Sequence, residues 1–355
     1  MTTMTTPRSS LSLSTIIAVT SLPATLTSML LDSPANHIPD LWFPDGNVII
    51  RVGKRLCCVY KGFLASQSPV LSDMFSFPQP KSVDTFMGLP TVAFPDADQD
   101  VEHWLKALFV PGYFKNYPEE VDGTKLLAVL RLSHKYDVQY YRRCGLRYLA
   151  HNYATDLEGH YQTPRRNTSN KSAITPMDDD LIAESYTLAM EIGALWLIPS
   201  MVYNLHVLSY SRPAKADQIA ASISHSGTAH LWRIGLLAGT RLAGGFSQSV
   251  WPPSSQFQCP GQKRLCSLDA CILLCENSTL YVSDPLGFFS PHRIESMLSH
   301  HKELQVCTTC LEVLRERHGK KCKVFWETLP EELGLGTWAE LRALKARDLG
   351  ESGDD

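Results

Sequence analysis

The 355-residue chain has little net charge, no long apolar run and none of the common catalytic motifs. A formal charge of −3 at pH 7 creates no overall field that would attract nucleic acid or an acidic substrate. The longest apolar stretch, residues 192–203, is broken by Gly193 and Pro199 and is shorter than the roughly 20 residues that span a bilayer. We therefore expect a cytoplasmic and/or nuclear protein that crosses no membrane and does not bind nucleic acid directly.

Sequence signatures of catalysis are also missing. The chain has no Gly-x-Ser-x-Gly elbow, no His-Glu-x-x-His pair and no glycine-rich phosphate loop ending in Lys-Ser or Lys-Thr. His103 and His134 lie on amphipathic segments, where a surface histidine or a hydrogen-bonded core histidine is far more common than a general base. We therefore expect neither an enzyme nor a cofactor.

Cysteine, in contrast, is plentiful, since seven of the ten cysteines lie between positions 259 and 322. A chain of this length does not need a disulfide framework for stability. Cys271 with Cys275, and Cys307 with Cys310, could supply four sulfur ligands to a structural zinc ion. The two pairs are separated by more residues than zinc motifs usually have, and a free cysteine on a helix face behaves as a small apolar residue. Buried thiols are the simpler interpretation, and a zinc-binding structural module stays an alternative.

The strongest structural signal is a change of hydrophobic period within residues 45–75. Alternating apolar residues predict a half-buried strand, and residues 56–60 predict its antiparallel partner after a glycine turn. Apolar residues then recur at helical spacing, and Ser68-Pro69 marks the start of a second short helix. The strand residues are Val48, Ile50 and Val52, and the helical positions are Phe63, Leu64, Val70, Leu71, Met74 and Phe75.

The same periodicities predict the organisation of the rest of the chain. A third strand is expected at Thr91–Phe94, followed by amphipathic helices around residues 101–108, 126–136 and 140–149. Further helices are expected at 181–197, 198–210, 231–242, 265–275 and 300–317. The expected domains are a disordered Ser/Thr-rich leader at 1–38, an α+β domain at 40–153, a linker or loop at 154–179, a helical domain at 180–348 and a disordered tail at 349–355.

Residues 45–75 resemble the opening of a BTB/POZ domain, particularly that of the expanded BTB proteins of mushroom-forming fungi (basidiomycetes). The resemblance extends over about 40–153 and includes the phrases Trp42–Val48 and Phe75–Pro80. Tyr60 departs from the pattern, because a histidine is usual at that position. The residues that match the family pattern are Asp45, Gly53, Lys61, Leu64, Ala65, Ser68, Asp73, Met74 and Phe75.

This resemblance implies an α+β fold in which helices cap a short mixed sheet, followed by an all-helical C-terminal domain. It also implies protein–protein association. Such domains commonly form homodimers through their N-terminal region and first helices, and they often recruit cullin-type ubiquitin ligases or transcriptional corepressors. The residues expected to define the fold are Asp45, Val48, Ile50, Leu64, Ser68, Met74 and Phe75.

A basic run at residues 315–323 offers a different function. It could serve as a nuclear-import or phosphate-contacting segment, which would make the chain a nuclear, transcription-associated regulator. In the simpler interpretation, Arg315 and Arg317 stabilise the C-terminus of a helix that Gly319 ends.

Overall fold

A computed structural model of the chain divides it into two compact units. The first runs to Gly145 and includes Ala173–Thr175, and the second comprises Leu146–Ser172 and the residues from Pro176 onward. The division falls within a helix, and the domain limits expected from the sequence stay a prediction. The structure describes residues 36–77, 84–164, 170–176, 178–224, 286 and 307–351. Most of the expected leader and the helices expected at 231–242 and 265–275 lie outside these residues.

The first unit contains a five-stranded mixed sheet, so the protein belongs to the α+β class. Its strands are β1 His37–Trp42, β2 Val48–Val52, β3 Arg55–Val59, β4 Thr85–Phe86 and β5 Leu89–Ala93. They lie in the order β1-β3-β2-β5-β4. The pairs β2–β3 and β4–β5 are antiparallel, whereas β1 runs parallel to β3 and β5 runs parallel to β2.

The β2–β3 hairpin forms because its turn has the residue that the backbone requires. Gly53 has a φ of +60°, a left-handed conformation that side chains other than glycine rarely adopt. Both faces of the hairpin are buried, although the alternation predicted a half-buried strand. Ile49 is fully buried because Trp42, Phe86 and Leu89 cover the second face of the sheet.

Among the described residues, five helices belong to this unit or reach its boundary. They are α1 Lys61–Gln67, α2 Pro69–Ser76, α3 Asp98–Phe109, α4 Gly123–Lys135 and α5 Gln139–Asn152. Ser68 is fully buried and caps α2, because its hydroxyl accepts a hydrogen bond from the Leu71 N–H at 3.0 Å. The same hydroxyl donates to the backbone carbonyl of Tyr136, which ties α2 to the end of α4.

The core of this unit lies between the first face of the sheet and the helices. Leu64 and Leu71 from the helical pair are fully buried there, together with Trp104 of α3. The ring of Phe94 meets those of Trp104 and Tyr136 edge-on, with centroids 5.9 and 5.2 Å away. Burial of each such side chain contributes about 1.5–3 kcal/mol, so the many buried side chains on this face stabilise the unit.

Strand β1 is a correction to the sequence interpretation, because it begins inside the leader that was expected to be disordered. Ile38 and Leu41 are both buried in the core although they are three residues apart. The register of β1 against β3 is irregular between His37 and Trp42, so a search for strict alternation misses this strand. Pro39 is tolerated because β1 is an edge strand.

The segment expected to be an exposed linker, 154–179, also contains regular structure. Helix α6, Leu157–Gln162, begins at Asp156, whose carboxylate accepts a hydrogen bond from the Gly159 N–H at 2.7 Å. Strand β7, Ile174–Thr175, pairs in parallel with β6, Val121–Asp122. Composition indicated a linker because few apolar residues occur here, yet Ile174 is fully buried.

The described remainder of the second unit is helical. Its elements are α7 Asp179–Glu191, a 3₁₀ turn at Leu195–Leu197, α8 Ile198–Ser211, α9 Pro213–Ser224, α10 Thr308–Glu332 and α11 Trp338–Leu349. Helix α10 continues through Gly319, so the expectation that this glycine ends a helix is wrong. A glycine inside a helix costs only about 1 kcal/mol relative to alanine, and the buried Phe325 and Trp326 anchor the following turns.

Pro330 lies inside the last turns of α10, where it cannot donate a backbone hydrogen bond to the carbonyl four residues earlier. That carbonyl belongs to Trp326, and it accepts a hydrogen bond from the indole N–H of Trp338 at 2.6 Å. The side chain of α11 therefore replaces the missing backbone donor, and α10 tolerates its proline.

Candidate interaction surface

Four aromatic side chains of the first unit form a continuous row that is partly open to solvent. Phe43 follows β1, Tyr60 and Phe63 lie at the start of α1, and Phe109 ends α3. We call these four residues the aromatic patch. The centroid distances are 5.1 Å for Phe43–Tyr60, 5.7 Å for Phe43–Phe109 and 4.9 Å for Phe63–Phe109. Phe63 is the most open, with 38% of its surface exposed, and the other three are half-buried.

The loop between β1 and β2 holds Phe43 in place. Its N–H donates to the carbonyl of Cys58 at 2.9 Å, and its own carbonyl accepts from the N–H of Gly46 at 3.0 Å. A β-carbon at Gly46 would lie 2.9 Å from the backbone carbonyl carbon of Cys58. Only glycine permits this close approach, so the Asp-Gly-Asn turn positions Phe43 between Tyr60 and Phe109 in the aromatic patch.

Tyr60 is fixed by the acidic residue of the same loop. Its hydroxyl donates to a carboxylate oxygen of Asp45 at 2.6 Å, and this hydrogen bond raises the pKa of Tyr60 above its ordinary value. A tyrosine therefore makes a direct polar contact with Asp45 from the position at which the BTB pattern usually has a histidine. The Tyr60 ring stays in the aromatic patch, and the Tyr60 hydroxyl lies at the edge of the patch.

The start of α1 is capped from the same loop. Tyr60 makes no side-chain cap, and instead the side-chain oxygen of Asn47 accepts a hydrogen bond from the Lys61 N–H at 2.7 Å. This bond satisfies one of the open donors of the first turn. It also holds Phe63, two residues further on, beside Phe109. Thus Asp45 and Asn47 both stabilise the geometry of the aromatic patch.

The four side chains of the patch are uncharged and combine apolar ring faces with one phenolic hydroxyl. When a second surface removes partly exposed phenylalanine and tyrosine side chains from water, the free energy of the system falls. Aromatic residues are also enriched among those that contribute most to protein–protein affinity. The chemistry of this surface therefore suits association with another protein.

The seven residues expected to define the fold have different positions. Val48, Ile50 and Leu64 are buried in the core. Met74 and Phe75 are half-buried against that core. Ser68 caps α2 as described above, and Asp45 is exposed and reaches the aromatic patch. Sequence reasoning included Phe43 as part of the phrase Trp42–Val48. It missed Phe109 as part of a surface, because only the folded chain brings the end of α3 next to α1.

Of the four cysteines considered as zinc ligands, two lie within the described residues. Cys271 and Cys275 lie outside the described residues. Cys307 precedes α10 and is partly exposed, whereas Cys310 is buried inside that helix. Within the part of the chain that the structure describes, no three His, Cys, Asp or Glu side chains come together as metal ligands. The zinc module therefore stays a prediction.

Residues 315–323, the basic run, all belong to α10. Lys320 forms an ion pair with Glu316 at 2.6 Å, one helical turn earlier. The exposed face of this helix therefore carries acidic as well as basic residues, whereas His318 and Cys322 of the run are buried. Among the helices described, none is both long enough and apolar enough to cross a membrane.

Comparison with protein-family models, with curated proteins and with solved structures finds no match to this chain. The class that the fold itself defines is an α+β protein with a small five-stranded mixed sheet.

Proposed function

We propose that the first unit is a BTB-like protein-interaction module that self-associates through the aromatic patch. The partly exposed row of Phe43, Tyr60, Phe63 and Phe109 is the observation that carries this proposal. The order of elements also supports it. A strand hairpin leads directly into the helical pair α1–α2, and a third strand and further helices follow, which is the order that the BTB resemblance implies.

A second copy of the chain is the partner that we favour for this surface. The BTB resemblance implies self-association through the N-terminal region and the first helices, and Phe43 and Phe63 lie in these two places. Two copies related by a two-fold axis would present the same surface to each other. The aromatic patch has no charged side chain, so such a contact would bury no like charges from its four residues.

The wider role that we propose is that of an adaptor or scaffold that binds proteins and catalyses no reaction. A cullin-type ubiquitin ligase is the specific partner that the resemblance implies, and the second unit would then bind the protein to be modified. Affinity capture of the full chain from its native cell tests this role. Recovery of a cullin supports it, and capture without any cullin removes the ligase adaptor from the proposal.

Photocrosslinking tests the self-association directly. A photoreactive benzoylphenylalanine replaces Phe63 in the full chain, and the matched control carries it in place of Met87, which is 74% exposed on the β4–β5 turn. The proposal predicts a covalent species of twice the chain mass from position 63 only. A crosslinked dimer from both positions, or from neither, would contradict self-association through the aromatic patch.

A further inference from the structure

Residues Ala173–Thr175 form a short strap on the first unit. The Val121 N–H donates to the carbonyl of Ala173 at 2.8 Å, and β7 pairs with β6 through only two residue pairs. Ile174 is fully buried and provides the main apolar contact of the strap. Because the pairing with β6 is only two residues long, an electrostatic change beside it can shift the strap between the docked and the released state.

Thr175 is the exposed end of this strap, and Pro176 follows it. A threonine followed by proline is the sequence that proline-directed Ser/Thr protein kinases modify. The described residues contain three such Ser/Thr-Pro pairs. Ser68 and Thr163, which precede Pro69 and Pro164, are only 0% and 2% exposed. Thr175 is therefore the accessible candidate in the described part of the chain.

The surroundings of Thr175 are acidic. Its hydroxyl donates to a carboxylate oxygen of Glu120 at 2.8 Å. Asp122 is its register partner on β6, and the Asp122 carboxylate already caps α4 by accepting from the Lys125 N–H at 2.8 Å. The N-terminus of α4 would favour an anion, but Asp122 occupies that position. A phosphate on Thr175 would thus face at least two carboxylates.

Two lysines of the first unit have other contacts. Lys115 forms an ion pair with Glu119 at 3.6 Å. The ammonium group of Lys125 lies 4.2 Å from the ring centroid of Tyr113 and also donates to the Tyr113 carbonyl. The Thr175 hydroxyl is hydrogen-bonded to Glu120 and to neither of these lysines. A phosphate there would therefore meet more repulsion than attraction.

We propose that Thr175 is a phosphorylation site whose modification releases the strap from β6. The Thr175 oxygen attacks the γ-phosphorus of ATP bound to a proline-directed Ser/Thr kinase. The new P–O bond replaces the bond to ADP, which leaves, and the hydroxyl proton passes to the catalytic base of the kinase. The product has lost its hydrogen-bond donor to Glu120 and has gained about −1.5 to −2 charges at pH 7. Repulsion by Glu120 and Asp122 then moves β7 out of its pairing.

Treatment of the full chain with a proline-directed kinase and ATP tests this proposal. Mass spectrometry should locate a phosphate on Thr175, and amide hydrogen exchange at Val121 should become about tenfold faster. Thr175→Ala is the control for the site, because it removes the acceptor and the Glu120 hydrogen bond without adding charge. In that variant, exchange at Val121 should change by no more than about threefold.

A charge reversal separates electrostatic release from a general loss of structure. In phosphorylated Glu120→Lys protein, the new ammonium group should attract the phosphate and slow exchange at Val121 relative to phosphorylated wild type. Absence of phosphate on Thr175 in the full chain would overturn the modification site. A phosphorylated chain with unchanged exchange at Val121, or with equal acceleration in Glu120→Lys, would overturn the release mechanism.

Discussion

The two units each contain a cluster of touching aromatic rings, and the two clusters differ in exposure. In the second unit, the Trp326 and Trp338 centroids are 5.2 Å apart, and His160 lies 4.8 Å from Trp326. These distances match the spacing within the aromatic patch of the first unit. Trp326 is fully buried, however, whereas Phe63 is 38% exposed. Ring spacing alone therefore does not separate a core from a binding surface.

Polar contacts give the same contrast. In the second unit, the indole N–H of Trp338 donates to the Trp326 carbonyl, to which Pro330 cannot donate. The buried cluster therefore provides a hydrogen bond for its own backbone. The Tyr60 hydroxyl at the edge of the aromatic patch contacts the exposed Asp45. The buried cluster stabilises its unit, and we propose that the aromatic patch contributes chiefly to binding. The predictions below test this assignment.

The largest effect is expected for Trp326→Ala. Removal of a fully buried indole leaves a cavity against Trp338 and His160, so the free energy of unfolding should fall by about 3–5 kcal/mol. Chemical denaturation followed by circular dichroism measures this loss. Val324→Ala is the matched control, since Val324 is two residues away and 59% exposed. Its effect should stay within about 0.5 kcal/mol, and equal losses would contradict the contrast.

Phe63→Ala should reduce dimer affinity more than it reduces the stability of the monomer. Because the ring is already partly in water, we expect the free energy of unfolding of the monomer to fall by no more than about 1 kcal/mol. Dimer affinity should fall by about 2 kcal/mol, which is roughly thirtyfold in Kd. Sedimentation velocity across a concentration series measures the Kd. Met87→Ala serves as the exposed control, and unchanged dimerisation in Phe63→Ala would exclude the aromatic patch as the interface.

Two tyrosines of the first unit isolate the effect of burial, because each donates a hydrogen bond to an aspartate. Tyr136 is fully buried and bonds Asp96, whereas Tyr60 is partly exposed and bonds Asp45. Burial, together with the hydrogen bond to Asp96, raises the pKa of Tyr136. Tyr136→Phe leaves the Asp96 carboxylate without this donor and should destabilise the protein by about 1–2 kcal/mol at neutral pH.

The same shift predicts a pH dependence. A folded-state pKa above the unfolded value of about 10 means that the contribution of Tyr136 is fully present below that pH. It is lost as the pH rises above 10 toward the folded-state pKa. Denaturation curves at several pH values should therefore converge for wild type and Tyr136→Phe in strong alkali. A stability difference that does not shrink above pH 10 would contradict this origin.

Tyr60→Phe should have the smallest effect of the series on stability. The substitution removes the hydroxyl, and the exposed Asp45 carboxylate then accepts a hydrogen bond from water in place of the one from Tyr60, while the ring stays in the aromatic patch. Thermal denaturation should consequently show a smaller change than that of Tyr136→Phe. A change as large as that of Tyr136→Phe would show that the Asp45–Tyr60 contact supports the fold itself.

Local patterns predicted the parts of the first unit that depend on neighbouring residues. The β2–β3 hairpin follows from alternation and the Gly53 turn, and α2 follows from Ser68-Pro69. The third strand was expected at Thr91–Phe94 and is found at Leu89–Ala93. Each of these signals lies within a few residues of the element that it specifies.

Features that depend on distant residues could not be predicted in this way. The irregular register of β1 is defined only by its pairing with β3, and β7 is a strand only because β6 lies beside it. Helix α10 passes Gly319 because later turns are anchored by tertiary packing. The aromatic patch joins Phe43 to Phe109 across 66 positions of sequence, so no local pattern indicates it.

Sedimentation equilibrium of the full wild-type chain is the most direct test of self-association. We predict a concentration-dependent mass that rises to twice the 39.6 kDa of one chain and that shifts to higher concentration in Phe63→Ala. A mass of 39.6 kDa at every concentration, or a dimer of equal affinity in the variant, would contradict the assignment of the aromatic patch as the self-association surface.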